Sequence, residues 1–177
     1  MRSSPHYNTA LSEVSCKVSG STYDLAFNGA LLNRGFWLYV WEITLPGGAN
    51  LYYVGRTGDS SSTNAQSPFN RMGQHLGFNA RSNVLRRHLR RKDIDPERCA
   101  FRLVAHGPVL KEATTRAGHL KARDRVAALE KALATAMAVA DYDVINTINC
   151  RIELDAETFV GVRAAFAVHF KNLASGP

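Results

Sequence analysis

Two tyrosines, Tyr39 and Tyr53, stand in neighbouring apolar segments joined by a short Pro46-Gly47-Gly48 turn. A hairpin there sets two phenols side by side, since side chains on paired strands face one another across the ladder. Aromatics also pack in strands without any chemical role, so the tyrosines gain meaning only from what accompanies them. Tyr53 is preferred over Tyr52 because Gly55 follows two residues later, and a strand glycine lets the backbone approach another group closely. Arg71 and His75 come next, four residues apart and therefore on one face of a helix. A planar guanidinium suits phosphate, and an imidazole relays protons near neutrality; both residue types also occur on solvated helix faces. Glu130 lies between Leu129 and Leu133, on or beside an apolar stripe. A carboxylate there needs a partner. That partner is either a basic side chain or a hard divalent cation such as Mg²⁺, which takes one or two carboxylates and completes its shell with water and phosphate. Asn146 beyond the helix would hold the site together or make a turn, and Asn149 is an equal candidate on spacing. Together these residue types describe a site that cleaves phosphodiesters.

The elements that must position them follow from pattern. Residues 36–44 and 51–56 read as strands rich in aromatic and β-branched residues, with Trp37, Tyr39 and Trp41 on one face. Ser67-Pro68 looks like an N-cap and first-turn proline, opening a helix through Phe69, Met72 and Leu76. A strongly basic helix is predicted over residues 82–92, and a third strand over 99–105. After a loop through Gly107-Pro108, a long helix is predicted over 123–140, with Val126, Leu129, Leu133 and Met137 on its stripe. Residues 144–147 and 151–154 read as short extended pieces, and Asp155 as the cap of a final helix ending near Leu173. Residues 10–18 read as a short amphipathic helix without a chemical role. The expected class is α+β: a small three-stranded, mostly antiparallel sheet flanked by helices. Residues 1–34 form an N-terminal extension, 35–150 a core and 151–177 a helical extension, in one compact domain.

The chain of 177 residues carries a formal net charge of +7 with 21% charged and 45% hydrophobic residues, a folded protein with a basic surface. The charge is uneven. Residues 60–92 contain no Asp or Glu, yet hold Arg71, Arg81, Arg86, Arg87, Arg90, Arg91 and Lys92. One-sign stretches of this kind are footprints for a polyanion, and Arg81, Arg86, Arg87, Arg90, Arg91 and Lys92, with Arg56, are the expected nucleic-acid contacts. Cys16, Cys99 and Cys150 are scattered without a CxxC pair, which disfavours a disulfide framework or a structural zinc site. The absence of a signal-like stretch at residues 1–7 and of any segment long enough to span a bilayer leads to the expectation of a cytoplasmic protein with free thiols and no membrane partner.

The ordered series Leu38-Tyr39-Val40, Tyr53-Val54-Gly55, Arg71 and His75, Glu130 and Asn146 resembles the GIY-YIG nuclease superfamily over residues 35–149, about two-thirds of the chain. Arg71-Met72-Gly73-Gln74-His75 is similar to the R-x-x-Q-H helix of the structure-specific members. The stretch at Ser82-Asn83, the strand at Phe101-Arg102-Leu103-Val104 and the Glu130 helix are similar to the restriction-type members. The resemblance implies a DNA endonuclease that uses Mg²⁺ or Mn²⁺ on Glu130 and leaves 5′-phosphate and 3′-hydroxyl ends. Tyr39, assisted by His75, would accept a proton from or orient the attacking water. A phenol of ordinary pKa is a poor base, so a nearby cation or metal would have to lower it. Arg71 would stabilise phosphoryl charge and Tyr53 would position phosphate or water. The first motif departs from the family in reading Trp-Leu-Tyr, with Gly35 just upstream, and the segment from Gly55 to Arg71 is longer than in compact members. Restriction-type members place the catalytic Arg and His further along, which makes Arg86, Arg87 and His88 rivals to Arg71 and His75. A defence or restriction nuclease acting as a homodimer, a repair or single-strand nuclease, an RNA-directed enzyme and a non-catalytic binding module of the same fold are all compatible readings.

Overall fold

The computed structural model describes residues 21–60, 63–79 and 81–175; the amphipathic helix expected over 10–18 lies outside them. Strands β1 (Phe36–Thr44) and β2 (Asn50–Arg56) form the expected hairpin. Its turn is closed by the Leu45 N–H on the Ala49 carbonyl and the Gly48 N–H on the Leu45 carbonyl, both 2.8 Å. Strand β3 (Ala100–Leu110) pairs with the other edge of β1, so the sheet has order β2-β1-β3 and is antiparallel throughout. Among the described residues five α-helices flank it, which makes the described chain α+β.

Both faces of the sheet are covered, which is why β1 reads as an almost unbroken apolar run rather than an alternating one. Phe36, Leu38, Val40, Tyr52 and Val54 pack on one side against α3 (Arg116–Val139) and α4 (Ala156–Ala167), through Leu129, Leu133, Met137, Val162 and Phe166. Tyr39, Trp41, Ile43, Leu51 and Tyr53 pack on the other side against α1 (Pro68–Leu76) and α2 (Val84–Arg90), through Met72, Leu76, Leu85 and Leu89. Tyr39 and Trp41 share a face as their alternation requires.

Local chemistry sets the helix ends. The Ser67 hydroxyl accepts from the Asn70 N–H at 3.3 Å with Pro68 in the first turn, and the Asp155 carboxylate accepts from the Thr158 N–H at 3.0 Å. Several boundaries differ from expectation. Helix α3 starts at Arg116 rather than near residue 123, because the Thr115 hydroxyl caps it by accepting from the Gly118 N–H at 3.1 Å. Its first turns are rich in Arg and Lys, which hides the apolar period there. Strand β3 runs on through Gly107-Pro108, where a loop was expected. Gly107 has φ of +150°, and a Cβ there would meet the Trp37 indole at 2.9 Å. The final helix stops at Ala167, and α5 (Asn172–Ser175) follows after a turn that lets Arg163 Nε donate to the Leu173 carbonyl at 3.0 Å. Residues 151–154 form no strand, and residues 144–147 contribute one parallel bridge, Tyr52 to Val144. Among the described residues no helix is long and apolar enough to cross a membrane.

Candidate active site

Strand register creates the centre of the site. Tyr39 lies opposite Gly55, and Trp41 opposite Tyr53, so the two tyrosines are diagonal neighbours on one face. The Tyr39 ring lies over Gly55, and a Cβ at that position would collide with it. This is the close approach that the glycine permits. Helix α1 delivers His75 to both phenols: its Nε2 is 2.6 Å from the Tyr39 hydroxyl, and its ring centroid is 5.3 Å from that of Tyr53. The Tyr39 hydroxyl also donates to the Arg56 carbonyl at 3.1 Å. A hydroxyl has one proton, so satisfying both bonds requires His75 to carry its proton on Nε2 and donate it to the Tyr39 oxygen. His75 Nδ1 is then a bare lone pair, in keeping with its lack of any partner.

Arg56 follows Gly55 and therefore points to the opposite face of the hairpin. There its Nε donates to Glu130 Oε2 of α3 at 2.8 Å, with both side chains well shielded at 16% and 12% exposure. The site thus wraps around the end of β2. Arg71, on α1, donates to Asp59 at 2.9 Å and to the Gln74 amide oxygen at 2.9 Å. Gln74 is the glutamine of the R-x-x-Q-H resemblance, whereas Asp59 is a residue that sequence reasoning did not select. Asp59 is the last acidic residue before the acid-free stretch, a position that marks it in retrospect.

Burial governs the protonation of these groups. It pushes the Tyr39 and Tyr53 hydroxyls well above the ordinary phenol range, against the opposing pull of Arg71. Of the two expected sources of a lowered Tyr39 pKa, a cationic side chain or a metal, the side chain does not suffice, because desolvation outweighs the Arg71 guanidinium. Burial, reinforced by Arg71, lowers His75 to about 3, so the imidazole is neutral at any ordinary pH. Burial raises the Glu130 carboxyl to about 7 even though Arg56 opposes it.

Two guanidinium nitrogens of the site lack a partner, although Arg71 as a whole also lies against the Tyr39 hydroxyl. Arg56 Nη1 and Arg71 Nε are buried and have no hydrogen-bond partner, and both guanidiniums act electrostatically on Tyr53 and Glu130. Buried polar groups are normally paired, so two orphaned guanidinium N–H groups in one site point to an anion. For a cation, no group of three or more His, Cys, Asp and Glu side chains occurs among the described residues. The carboxylates at the site are Glu130, paired with Arg56, and Asp59, paired with Arg71, a sparse donor set whose chemistry fits Mg²⁺ better than a transition metal held by an all-protein cage.

The remaining sequence candidates divide cleanly. Asn146 turns its amide to the backbone of Val54, accepting from its N–H at 3.0 Å and donating to its carbonyl at 2.8 Å. It latches the segment after α3 onto the outer edge of β2, while Asn149 is exposed. Of the rival set, Arg86 is buried and bound to the Leu76 carbonyl at 3.2 Å and to Glu97, and Arg87 is exposed. His88 reaches the Tyr53 ring at 5.7 Å between centroids. Arg71 and His75 are therefore the pair at the tyrosines, with His88 behind Tyr53. Arg81, Arg87, Arg90, Arg91 and Lys92 are exposed. Arg56 and Arg86, expected on that surface, are instead held by Glu130 and Glu97. No protein-family model, curated protein or solved structure matches the chain.

Proposed function

We propose that the protein is a divalent-metal-dependent endonuclease with a GIY-YIG-like core, hydrolysing DNA phosphodiesters to 5′-phosphate and 3′-hydroxyl ends. The observation that carries this reading is the pair of orphaned guanidinium donors, Arg56 Nη1 and Arg71 Nε, in the same site as a buried carboxylate and two phenols. Arg71 and Arg56 bind and orient the scissile phosphate and stabilise the charge that builds on its oxygens. Tyr39, fixed by His75 and by the Arg56 carbonyl, holds the attacking water in line through its hydroxyl oxygen. Tyr53, backed by His75 and His88, contacts the phosphate from the adjacent strand. Glu130 would hold Mg²⁺ or Mn²⁺, which when bound supplies Lewis acidity to the departing 3′ oxygen. The basic residues of α1, α2 and the turns around them draw the polyanion in, and backbone contacts of that kind confer no sequence preference by themselves. The reading places the enzyme in the cytoplasm, as a homodimer where both strands are cut.

Plasmid cleavage in Mg²⁺ and in Mn²⁺ tests it. The wild type should nick or linearise DNA, a chelator should stop it, and Glu130→Ala and Tyr39→Phe should each lose at least two orders of magnitude in rate, on the scale of removing a positioned charge stabiliser. Cleavage by both variants at the wild-type rate would overturn the assignment. Tight binding of DNA or RNA without cleavage in either metal would make the chain a non-catalytic module instead.

A further inference from the structure

Phe78 is 84% exposed, in the middle of the acid-free stretch, three residues beyond His75. Single exposed apolar residues are ordinary on protein surfaces; what surrounds this one is not. Its ring lies on the guanidinium of Arg86, whose carbon is 4.3 Å from the ring centroid. Arg86 is itself buried and fixed in three directions, by the Leu76 carbonyl at 3.2 Å, by Glu97 and by the phenyl ring. A cation so thoroughly engaged is poorly placed to neutralise a phosphate. It serves as a rigid backing plate for an aromatic face.

Hydrogen bonds flank the ring on both sides. The Gly77 N–H closes α1 on the Gly73 carbonyl at 3.0 Å. Directly after Phe78, the Asn79 side chain accepts from the Arg81 N–H at 3.0 Å, while the Asn79 carbonyl accepts from the N–H groups of Ser82 and Asn83, also at 3.0 Å. Phe78 is thus displayed between a closed helix end and a hydrogen-bonded turn, with exposed Arg81 and Arg87 on the same loop and the following helix. Three residues of chain reach no further than about 11 Å, which bounds the backbone separation between Phe78 and His75, the residue that meets Tyr39.

We infer that Phe78, backed by Arg86, is a stacking platform for a nucleobase that is unpaired or drawn out of its stack beside the scissile phosphate. This rests on the nuclease reading above and narrows its substrate class to DNA with an unstacked nucleotide, such as a single strand or a bulge. Stacking on an aromatic face is tolerant of base identity, so the platform selects structure rather than sequence. Arg86 is a positioning residue here, acting through the phenyl ring.

The test measures binding without turnover, in a metal-free buffer with chelator, using labelled DNA as a single strand, a paired duplex, and a duplex with one 2-aminopurine in a bulge. The full chain should bind the single strand and the bulge more tightly than the duplex and quench the 2-aminopurine. Phe78→Ala should weaken bulge and single-strand binding by roughly tenfold, abolish the quenching and leave duplex affinity unchanged. Phe78→Trp should retain both. Equal affinities and equal quenching for wild type and Phe78→Ala would overturn the platform while leaving the nuclease reading intact. Failure of the wild type to bind any of the three DNAs would overturn both. Because the side chain is exposed, thermal unfolding of Phe78→Ala should match the wild type closely enough to keep the comparison sound.

Discussion

The Glu130 carboxyl sits at about 7 because burial outweighs the pull of Arg56, and this has two measurable signs. In the unfolded chain the group releases its proton near the ordinary carboxylate range. Between that range and 7 the folded state therefore holds a proton that the unfolded state does not, and stability falls as pH rises through this window. From pH 5 to pH 8 the wild type should lose roughly 2–3 kcal/mol relative to Glu130→Gln in denaturant unfolding, the equivalent of about two pKa units. A parallel pH dependence of the two proteins would mean that Glu130 is ionised throughout. Cation binding has the opposite sign, since the ionised carboxylate is the ligand: Mn²⁺ affinity measured by calorimetry should rise with pH up to about 7 and then level off. At this scale the sequence was informative about residue type and poor about state. Tyr39, Tyr53, Arg71, His75 and Glu130 were legible from pattern and resemblance; His75 meets both tyrosines, and Arg71 and Glu130 act on them electrostatically. That desolvation suppresses phenol ionisation, that Arg56 faces Glu130 and that Asp59 faces Arg71 depend on packing across elements, which no local pattern encodes.

Among elements, β2 is the strand on which most of the site depends, and it lies at the edge of the sheet. Its outer side is closed by residues after α3: the Tyr52 N–H donates to the Asp143 carbonyl at 2.8 Å, the Ile145 N–H to the Tyr52 carbonyl at 2.8 Å, and Asn146 takes both polar groups of Val54. Removing the amide strips two backbone groups of their partner, so Asn146→Ala should cost about 1–3 kcal/mol in chemical denaturation. Asn149→Ala, at an exposed position, should stay within about 0.5 kcal/mol. Equal losses from the two substitutions would show that the latch contributes nothing special. The hairpin, the capped start of α1 and the cap of α4 were legible because Pro-Gly turns, Ser-Pro and Asp each act on their nearest neighbours. The early start of α3 and the length of β3 were not. Charged turns mask the period in the first, and in the second a glycine-proline pair that ordinarily signals a loop is carried inside a strand by Trp37 packing on Gly107.

The whole molecule joins a basic surface, gathered in the contiguous residues 60–92 of its sequence, to a carboxylate supplied from much further along. The Asn146 latch spans 92 residues and the Arg56–Glu130 pair spans 74. Closing chain segments of that length must precede the contacts that reward it, whereas helix α3 forms through neighbours four apart. The order of assembly follows. In a refolding experiment with pulsed hydrogen exchange, the Leu133 amide inside α3 should gain protection before the Tyr52 and Val54 amides, whose acceptors are Asp143 and Asn146. Simultaneous protection would mean that helix and edge form as one unit. A chain still emerging or only partly folded accordingly presents its arginines before Glu130 is opposite them, and is able to adhere to a polyanion before its site is complete. The latch on β2 is in this sense a clock: its closure marks the moment at which a sticky chain becomes a finished protein.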